Sequence, residues 1–168
     1  MEPRSGIVAL VGNPRAGSRT AMVASKVAER FRLDDEPIDV VELAELGPAL
    51  LDWSAQPAVD AALSAVAASR LVVVASPTYK ASYTGLLKAF LDRYSSGALR
   101  GTASVAVMVG AAPSHTLAVE AHLRPLLADL GSTCVAGIYV LESDLERLDE
   151  VLDEWVDGLA IPTMPSNG

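Results

Sequence analysis

The sequence has few aromatic residues and only one cysteine. Aromatic side chains make up 5% of the 168 residues, so a folded core must be built mainly from alanine, valine and leucine. With a single cysteine, Cys134, the chain cannot form an internal disulfide, which favours a reducing, cytoplasmic setting. Cys134 lies in an apolar stretch and is interpreted as a small buried side chain rather than a catalytic thiol.

Positive charge is scarce as well. The chain carries 13 lysine and arginine residues against 21 aspartate and glutamate residues, a formal net charge of −8. Because nucleic acids and anionic membranes attract basic surfaces, neither is expected as a partner. The sequence also lacks the roughly 20-residue apolar run of a spanning helix and the features of a signal peptide. These absences predict a soluble, intracellular protein.

What is present is a regular alternation of short apolar runs and amphipathic segments. Such alternation is typical of an α/β fold, a parallel sheet with helices on both faces. The length and the 51% content of hydrophobic residues predict one domain over residues 1–168, with 161–168 as a frayed tail. Pro125 lies inside a helical pattern and predicts a kink. The predicted strands are 7–11, 38–43, 71–75, 104–109 and 133–140, and the helical patterns are 20–31, 58–69, 86–94, one ending at 130, and 145–159.

The loop after the first strand, residues 12–20 (the first loop), has the composition of a phosphate-binding turn. Gly12 and Gly17 permit tight backbone turns, while Ser18 and Thr20 offer hydroxyl groups at the start of a helix. Arg15 adds a fixed cation beside a helix N-terminus that already favours anions. The alternative is a simple helix cap with an exposed arginine.

Two other phosphate motifs fit the first loop less well. A nucleoside-triphosphate loop has a lysine after its second glycine, where this chain has Ser18. The dinucleotide fingerprint Gly-x-Gly-x-x-Gly is interrupted by Asn13 and Pro14. The residues of the first loop therefore favour a ligand with a single terminal phosphate.

The loop after the third strand, residues 76–85 (the second loop), is suited to a planar ring. Pro77 stiffens the turn, Tyr79 and Tyr83 offer flat surfaces, and Thr78 and the amides can hydrogen-bond a polar ring edge. The alternative is that the tyrosines only cover the end of the sheet.

The loop after the fourth strand, residues 110–115 (the third loop), consists mostly of small residues, which leaves room for a ring close to the backbone. His115 in this loop either bonds the ring edge or is a capping or packing residue near a helix start, and the sequence does not choose between these roles. No cluster has metal-ligand spacing, and no Ser-His-acid set can be placed at one site.

With these loops in view, most of the chain resembles the NADPH-dependent FMN reductases of the flavodoxin-like superfamily. The resemblance is strongest to the alkanesulfonate-type flavin reductases that serve two-component monooxygenases. It implies a five-stranded parallel sheet of order 2-1-3-4-5. The motifs that carry it are GNPR at 12–15, SRT at 18–20, SPTYKASYTGLLK at 76–88, Gly110, HTLAV at 115–119 and LRP at 123–125.

The resemblance also implies which residues hold FMN. Its phosphate would be bound by Asn13, Arg15, Ser18 and Thr20. Its ring would be lined by Pro77, Thr78, Tyr79, Gly110, Ala111 and Ala112. No firm catalytic residue is implied, because hydride passes directly between two stacked rings; Tyr79, Lys80 and His115 are the candidate neighbours of those rings.

The implied activity is hydride transfer from NADPH or NADH to FMN by a homodimer or homotetramer, with a flavin-dependent monooxygenase as a partner. Three alternatives stay open: a flavodoxin-like electron carrier, a quinone or dye reductase with tightly held FMN, and a phosphate sensor. The alkanesulfonate enzymes carry an inserted tyrosine in a π-bulge of the fourth helix, where this chain has Ala121 or His122. That departure implies tighter flavin retention.

Overall fold

A computed structural model describes residues 4–159 and contains a parallel sheet of five strands in the order β2-β1-β3-β4-β5. The predicted α/β fold and strand order are therefore confirmed. The predicted frayed tail at 161–168 lies outside the described residues. The strands are β1 Ile7–Val11, β2 Ile38–Glu42, β3 Leu71–Pro77, β4 Ala103–Gly110 and β5 Thr133–Leu141.

The helices connect these strands and cover the two faces of the sheet. Several observed bounds differ from the predicted ones: the pattern at 86–94 is helical only to Leu91, and the pattern at 145–159 begins inside a 3₁₀ turn. Within residues 4–159 the α-helices are α1 Arg19–Arg30, α2 Leu43–Leu46, α3 Pro57–Ala68, α4 Gly85–Leu91, α5 Arg124–Asp129 and α6 Leu148–Gly158. The 3₁₀ turns are Gly47–Leu50, Pro113–His115 and Glu142–Arg147.

Alternation along the strands divides the core into two layers. Ile7 and Ala9 of β1 pack with one cluster that includes residues of α1 and α6, whereas Val8 and Leu10 pack with the cluster formed by α3, α4 and α5. Each fully buried Val, Leu or Ile contributes about 1.5–3 kcal/mol. Both faces of the sheet are therefore apolar, which explains why β1 and the core of β3 are uninterrupted apolar runs. None of the helices within residues 4–159 combines the length and low polarity that crossing a bilayer demands.

The segment before Pro125 is a π-helical turn, Val119–Leu123, rather than the kinked α-helix that the sequence predicts. Pro125 has no N–H to donate to Ala121, four residues earlier. The turn widens instead, and the Arg124 N–H donates to the carbonyl of Val119. This geometry forms with Ala121 and His122 in this segment, so the π-helical turn does not require a tyrosine here. Tighter flavin retention stays a prediction.

An ion pair between Glu36 and Arg70, at the amino ends of β2 and β3, should make stability depend on pH. The carboxylate of Glu36, whose side chain is 10% exposed, accepts hydrogen bonds from Arg70 Nε at 2.7 Å and from the Gly6 amide at 3.0 Å. Hydrogen bonding from Arg70 lowers the pKa of Glu36 below its ordinary value of 4.5. The stabilisation is therefore present above pH 4.5 and is lost as the pH falls through the lower, folded-state pKa.

The substitution Glu36→Gln tests this dependence. We expect it to lower the free energy of unfolding by about 1–3 kcal/mol at neutral pH, because it removes a charge-assisted pair that is mostly buried. The difference from wild type should shrink as the pH falls below 4.5 in urea denaturation series. Glu29→Gln, in an exposed pair with Arg32, should cost less than about 0.5 kcal/mol. Equal effects of the two substitutions at neutral pH would contradict this account.

Candidate functional site

The first, second and third loops all leave the carboxyl ends of their strands at one edge of the sheet. Strand order reverses between β1 and β3, and such a reversal opens a crevice where α/β proteins bind ligands. A cleft of about 380 Å³ lies there, within the ordinary range for ligand pockets. It is lined by Asn13, Arg15, Ala16, Gly17, Ser18, Arg19, Thr20, Pro77, Tyr79, Val109 and Glu142.

The first loop ends in the N-terminus of α1. Ser18 is the N-cap, and its hydroxyl accepts a hydrogen bond from the Ala21 amide at 3.2 Å. The first turn of α1 carries no acidic residue, so its amides and the helix dipole present positive charge to the cleft. Gly17 has a φ of +62°, a backbone conformation that glycine adopts without strain. This local structure favours the binding of an anion at the start of α1.

Asn13 and Thr20 hold the first loop in shape. The Asn13 side chain accepts from the Arg15 amide at 2.9 Å and donates to Thr20 Oγ1 at 3.0 Å. Both residues are buried, with 9% and 2% of their surfaces exposed. The Asn13 side chain, which the sequence analysis assigned to the phosphate, thus makes its hydrogen bonds within the first loop.

Thr84 ties the second loop to the first. Its hydroxyl donates to the carbonyl of Gly12 at 2.6 Å and accepts from the Leu87 amide at 3.1 Å, which caps α4. The Gly12 amide donates to Ala75 at 2.7 Å, and a Cβ on Gly12 would lie 2.7 Å from Leu87 Cβ. Close packing of Gly12 against α4 therefore fixes where the first loop begins.

The second loop contains a tight turn with an unusual backbone. Tyr79 and Ser82 exchange two backbone hydrogen bonds, of 2.9 and 3.1 Å. Between them Lys80 and Ala81 have φ values of +53° and +60°, a region that disfavours residues with a Cβ by about 1–2 kcal/mol each. Such strain is typical of functional loops. The turn leaves the Tyr79 side chain at the cleft, with half of the residue exposed.

The third loop begins at a crowded point beneath the cleft. The Tyr139 hydroxyl donates to the Ala112 carbonyl at 3.2 Å, and the Thr78 amide donates to Val109 at 2.7 Å. A Cβ added to Gly110 would collide with the Tyr139 hydroxyl and lie 3.0 Å from Thr78 Cβ. Thr78 Oγ1 is buried and has no hydrogen-bond partner among residues 4–159. A buried hydroxyl without a partner is a candidate ligand group.

Two acidic residues that the sequence analysis missed stand at the same edge. Glu42 ends β2, and its Oε2 accepts a hydrogen bond from the Gly17 amide at 2.9 Å. Glu142 follows β5 and pairs with Arg19 at 3.1 Å. Arg15 has no ion-pair partner within the part of the chain that the structure describes. Each glutamate lies at or directly after the carboxyl end of a predicted strand, and the strand order brings both ends to the side of the sheet where the first loop lies.

The cleft brings together only some of the predicted residues. It is lined by Asn13, Arg15, Ser18, Thr20, Pro77 and Tyr79, but not by Thr78, Lys80, Gly110, Ala111, Ala112 or His115. His115 is half-buried at the end of a 3₁₀ turn, and neither that turn nor the π-helical turn that follows has a side-chain cap at its N-terminus, so His115 does not act as a helix cap. Burial raises the pKa of the Cys134 thiol, which disfavours a reactive thiolate. Among residues 4–159, no three potential metal ligands lie together.

These features fit a flavin mononucleotide. The N-terminus of α1 with Ser18 and Arg15 suits a phosphate, and Tyr79 offers a flat, half-exposed surface. Thr78 stands in sequence between the cleft residues Pro77 and Tyr79, and its buried hydroxyl, unpartnered among residues 4–159, is a candidate hydrogen-bonding group for a polar ring edge.

Comparison with known proteins identifies relatives of this chain in sequence and in fold. Residues 6–146 match the family described as NADPH-dependent FMN reductase. The chain is 32% identical to the NADH-dependent FMN reductase SfnF of Pseudomonas putida, over 88% of this chain and 89% of that protein. It is 30% identical to an FMN reductase (NADPH) of Pseudomonas aeruginosa, over 84% of this chain and 79% of that protein. The solved apo form of the NADH:FMN oxidoreductase EMOB superposes with a TM-score of 0.78 and 34% identity, covering 96% of this chain and 92% of that one.

Proposed function

The chain belongs to the NADPH-dependent FMN reductase family, and from that membership we propose where and how its NAD(P)H:FMN oxidoreductase activity is carried out. The proposed site is the cleft between the first and second loops, within a single FMN-binding domain. The observation that supports it most strongly is the start of α1 in the cleft, where Ser18, Arg15 and the first helix amides suit a phosphate. The buried Thr78 hydroxyl, which has no partner among residues 4–159, is a candidate donor to a polar ring edge. When bound, FMN accepts a hydride from NADPH or NADH.

The first loop binds the phosphate of the flavin. Ser18, Arg15 and the opening amides of α1 provide the direct contacts, because they are the donors that line the cleft. Asn13 and Thr20 act with them by holding the backbone in its curved form through the 3.0 Å hydrogen bond between their side chains. This arrangement recognises a terminal phosphate rather than a bare ring.

The second and third loops position the ring. In the proposed site Pro77, Thr78 and Tyr79 lie on one side of the ring and Gly110, Ala111 and Ala112 on the other. Of these six residues, Pro77 and Tyr79 line the cleft directly, and the strained turn at Lys80 keeps Tyr79 there. Lys80 and His115 border the open face on which the nicotinamide stacks. The protein's task is to orient the two rings, and no side chain is assigned as an acid or base.

Arg15→Ala should weaken FMN binding roughly tenfold, because it removes a cation without an ion-pair partner in the described chain. Riboflavin, which lacks the phosphate, should be unaffected. Titration of flavin fluorescence measures both affinities. Arg32→Ala removes a cation beyond the far end of α1 and serves as the control, with less than twofold change expected. Equal losses for FMN and riboflavin would argue against a phosphate role for Arg15.

Reduced FMN leaves the enzyme for a flavin-dependent monooxygenase, and the enzyme works in the cytoplasm as a homodimer or homotetramer. Leu51 and Trp53 are 74% and 70% exposed, which supports a buried contact between subunits. The single cysteine supports the reducing compartment.

Steady-state oxidation of NADPH and of NADH tests the activity. We expect consumption of at least one nucleotide to depend on added FMN and on enzyme concentration. Consumption without added flavin, by a protein that stays yellow through gel filtration, would instead favour a quinone or dye reductase with tightly held FMN. No consumption of either nucleotide would contradict the proposed oxidoreductase.

A further inference from the structure

Two carboxylates contact the first loop or α1 at a site suited to an anion. Glu42 Oε2 accepts the Gly17 amide at 2.9 Å, so the carboxylate takes one of the amide donors of the first loop. Glu142 lines the cleft and pairs with Arg19 at 3.1 Å. Glu42 is the last residue of β2 and Glu142 is the first residue after β5, and these two strands are the opposite edge strands of the sheet.

These contacts change the charge balance at the phosphate position. Arg15 and Arg19 supply two positive charges, and Glu42 and Glu142 supply two negative ones, so the side chains around the first loop are neutral in sum. A phosphate that approaches the start of α1 meets a loop amide already donated to Glu42 and an arginine already paired with Glu142. Repulsion between carboxylate and phosphate is largest for a dianion and absent for an uncharged ligand.

We propose that Glu42 and Glu142 set the affinity and specificity of the flavin site by opposing its hold on the phosphate of FMN. The consequence is a weakened preference for FMN over riboflavin and faster exchange of flavin with solution. This inference rests on the proposed function. Glu42 and Glu142 are specificity-determining residues, and the hydride transfer itself does not involve them.

Glu42→Gln separates charge from loop geometry. The amide oxygen of glutamine still accepts the Gly17 N–H, so the loop keeps its support while the negative charge is lost. We expect FMN to bind roughly three- to tenfold more tightly and riboflavin to change less than twofold, as measured by fluorescence titration. Glu142→Gln, which releases Arg19 from its ion pair, should act in the same direction.

Salt dependence provides a readout that a purely structural role would not move. In the wild type the neutral cluster should make FMN affinity only weakly sensitive to ionic strength. In the double variant with both substitutions, two uncompensated arginines should make FMN affinity fall more steeply as salt is added. Riboflavin affinity should remain insensitive in every variant.

Glu29→Gln is the matched control, because it removes the same charge near the other end of α1. It should leave both flavin affinities within twofold of wild type, and thermal unfolding will verify that every variant is folded. Unchanged or weaker FMN binding in folded Glu42→Gln and Glu142→Gln variants, or a parallel gain for riboflavin, would overturn the proposal. Failure of the wild type to bind any flavin would instead contradict the proposed function.

Discussion

Gly110→Ala is expected to weaken FMN binding about tenfold or more. The added Cβ would collide with the Tyr139 hydroxyl and lie 3.0 Å from Thr78 Cβ. Moving Tyr139 would break its hydrogen bond to Ala112, and moving Thr78 would displace its buried hydroxyl. Overpacking of this kind costs about 1–3 kcal/mol, which corresponds to a loss of roughly 5- to 140-fold in affinity if the whole cost falls on the flavin-bound state. Fluorescence titration with FMN measures the loss.

Gly85→Ala provides the matched control at the same edge of the sheet. A Cβ on Gly85 meets nothing within 4 Å, and the residue begins α4, so alanine should be neutral or slightly stabilising. Tyr139→Phe should restore most of the FMN affinity to Gly110→Ala, because it removes the oxygen that the new Cβ meets. A Gly110→Ala variant that binds FMN like wild type, or that Tyr139→Phe does not rescue, would contradict the steric explanation.

Thr84→Val is expected to lower the free energy of unfolding by about 2–4 kcal/mol. The substitution removes the cap of α4, worth about 1 kcal/mol, and leaves the Gly12 carbonyl without its 2.6 Å donor, at about 1–3 kcal/mol. For a chain of this length the melting temperature should fall by roughly 5–15 °C. FMN affinity should also fall, because Thr84 joins the first and second loops.

Thr84→Ser isolates the hydroxyl from the volume of the side chain. Serine keeps both hydrogen bonds and loses only a methyl group, so its cost should stay below about 1.5 kcal/mol. Chemical denaturation of both variants gives the comparison. If Thr84→Ser and Thr84→Val destabilise the protein equally, the cost comes from packing, and the hydrogen bonds to Gly12 and Leu87 contribute little.

The fold was predictable because apolar runs report burial directly. The apolar run at 7–11 coincides with β1, and the run at 71–75 matches β3 except at its end, where Ser76 and Pro77 continue the pairing with β4. Ser76 and Pro77 do not extend the apolar run, so the sequence predicts that this strand ends at Ala75. The turn at 119–123 was missed for a related reason: Pro125 indicates that a helix is disturbed, but not that it widens into a π-helical turn.

The site was less predictable because its key contacts join residues distant in sequence. Arg15 and Ser18 were found from the composition of one loop, whereas Thr84 and Glu42 act on that loop from 72 and 25 residues away, through Gly12 and Gly17. A polar residue at the end of a strand or at a helix cap is already explained by that local position, so the sequence gives no sign that it also contacts a distant loop. Only the strand order brings these side chains to the first loop.

Anaerobic reduction of FMN tests the central claim most directly, since it joins the activity to the proposed cleft. NADPH or NADH is mixed with FMN and a catalytic amount of protein, and the visible absorption of oxidised flavin is followed. Wild type and Gly85→Ala should bleach FMN at rates proportional to enzyme concentration, and Gly110→Ala should be much slower at limiting FMN. Bleaching by wild type no faster than in a protein-free mixture with either nucleotide, or equal rates for all three proteins, would contradict the account.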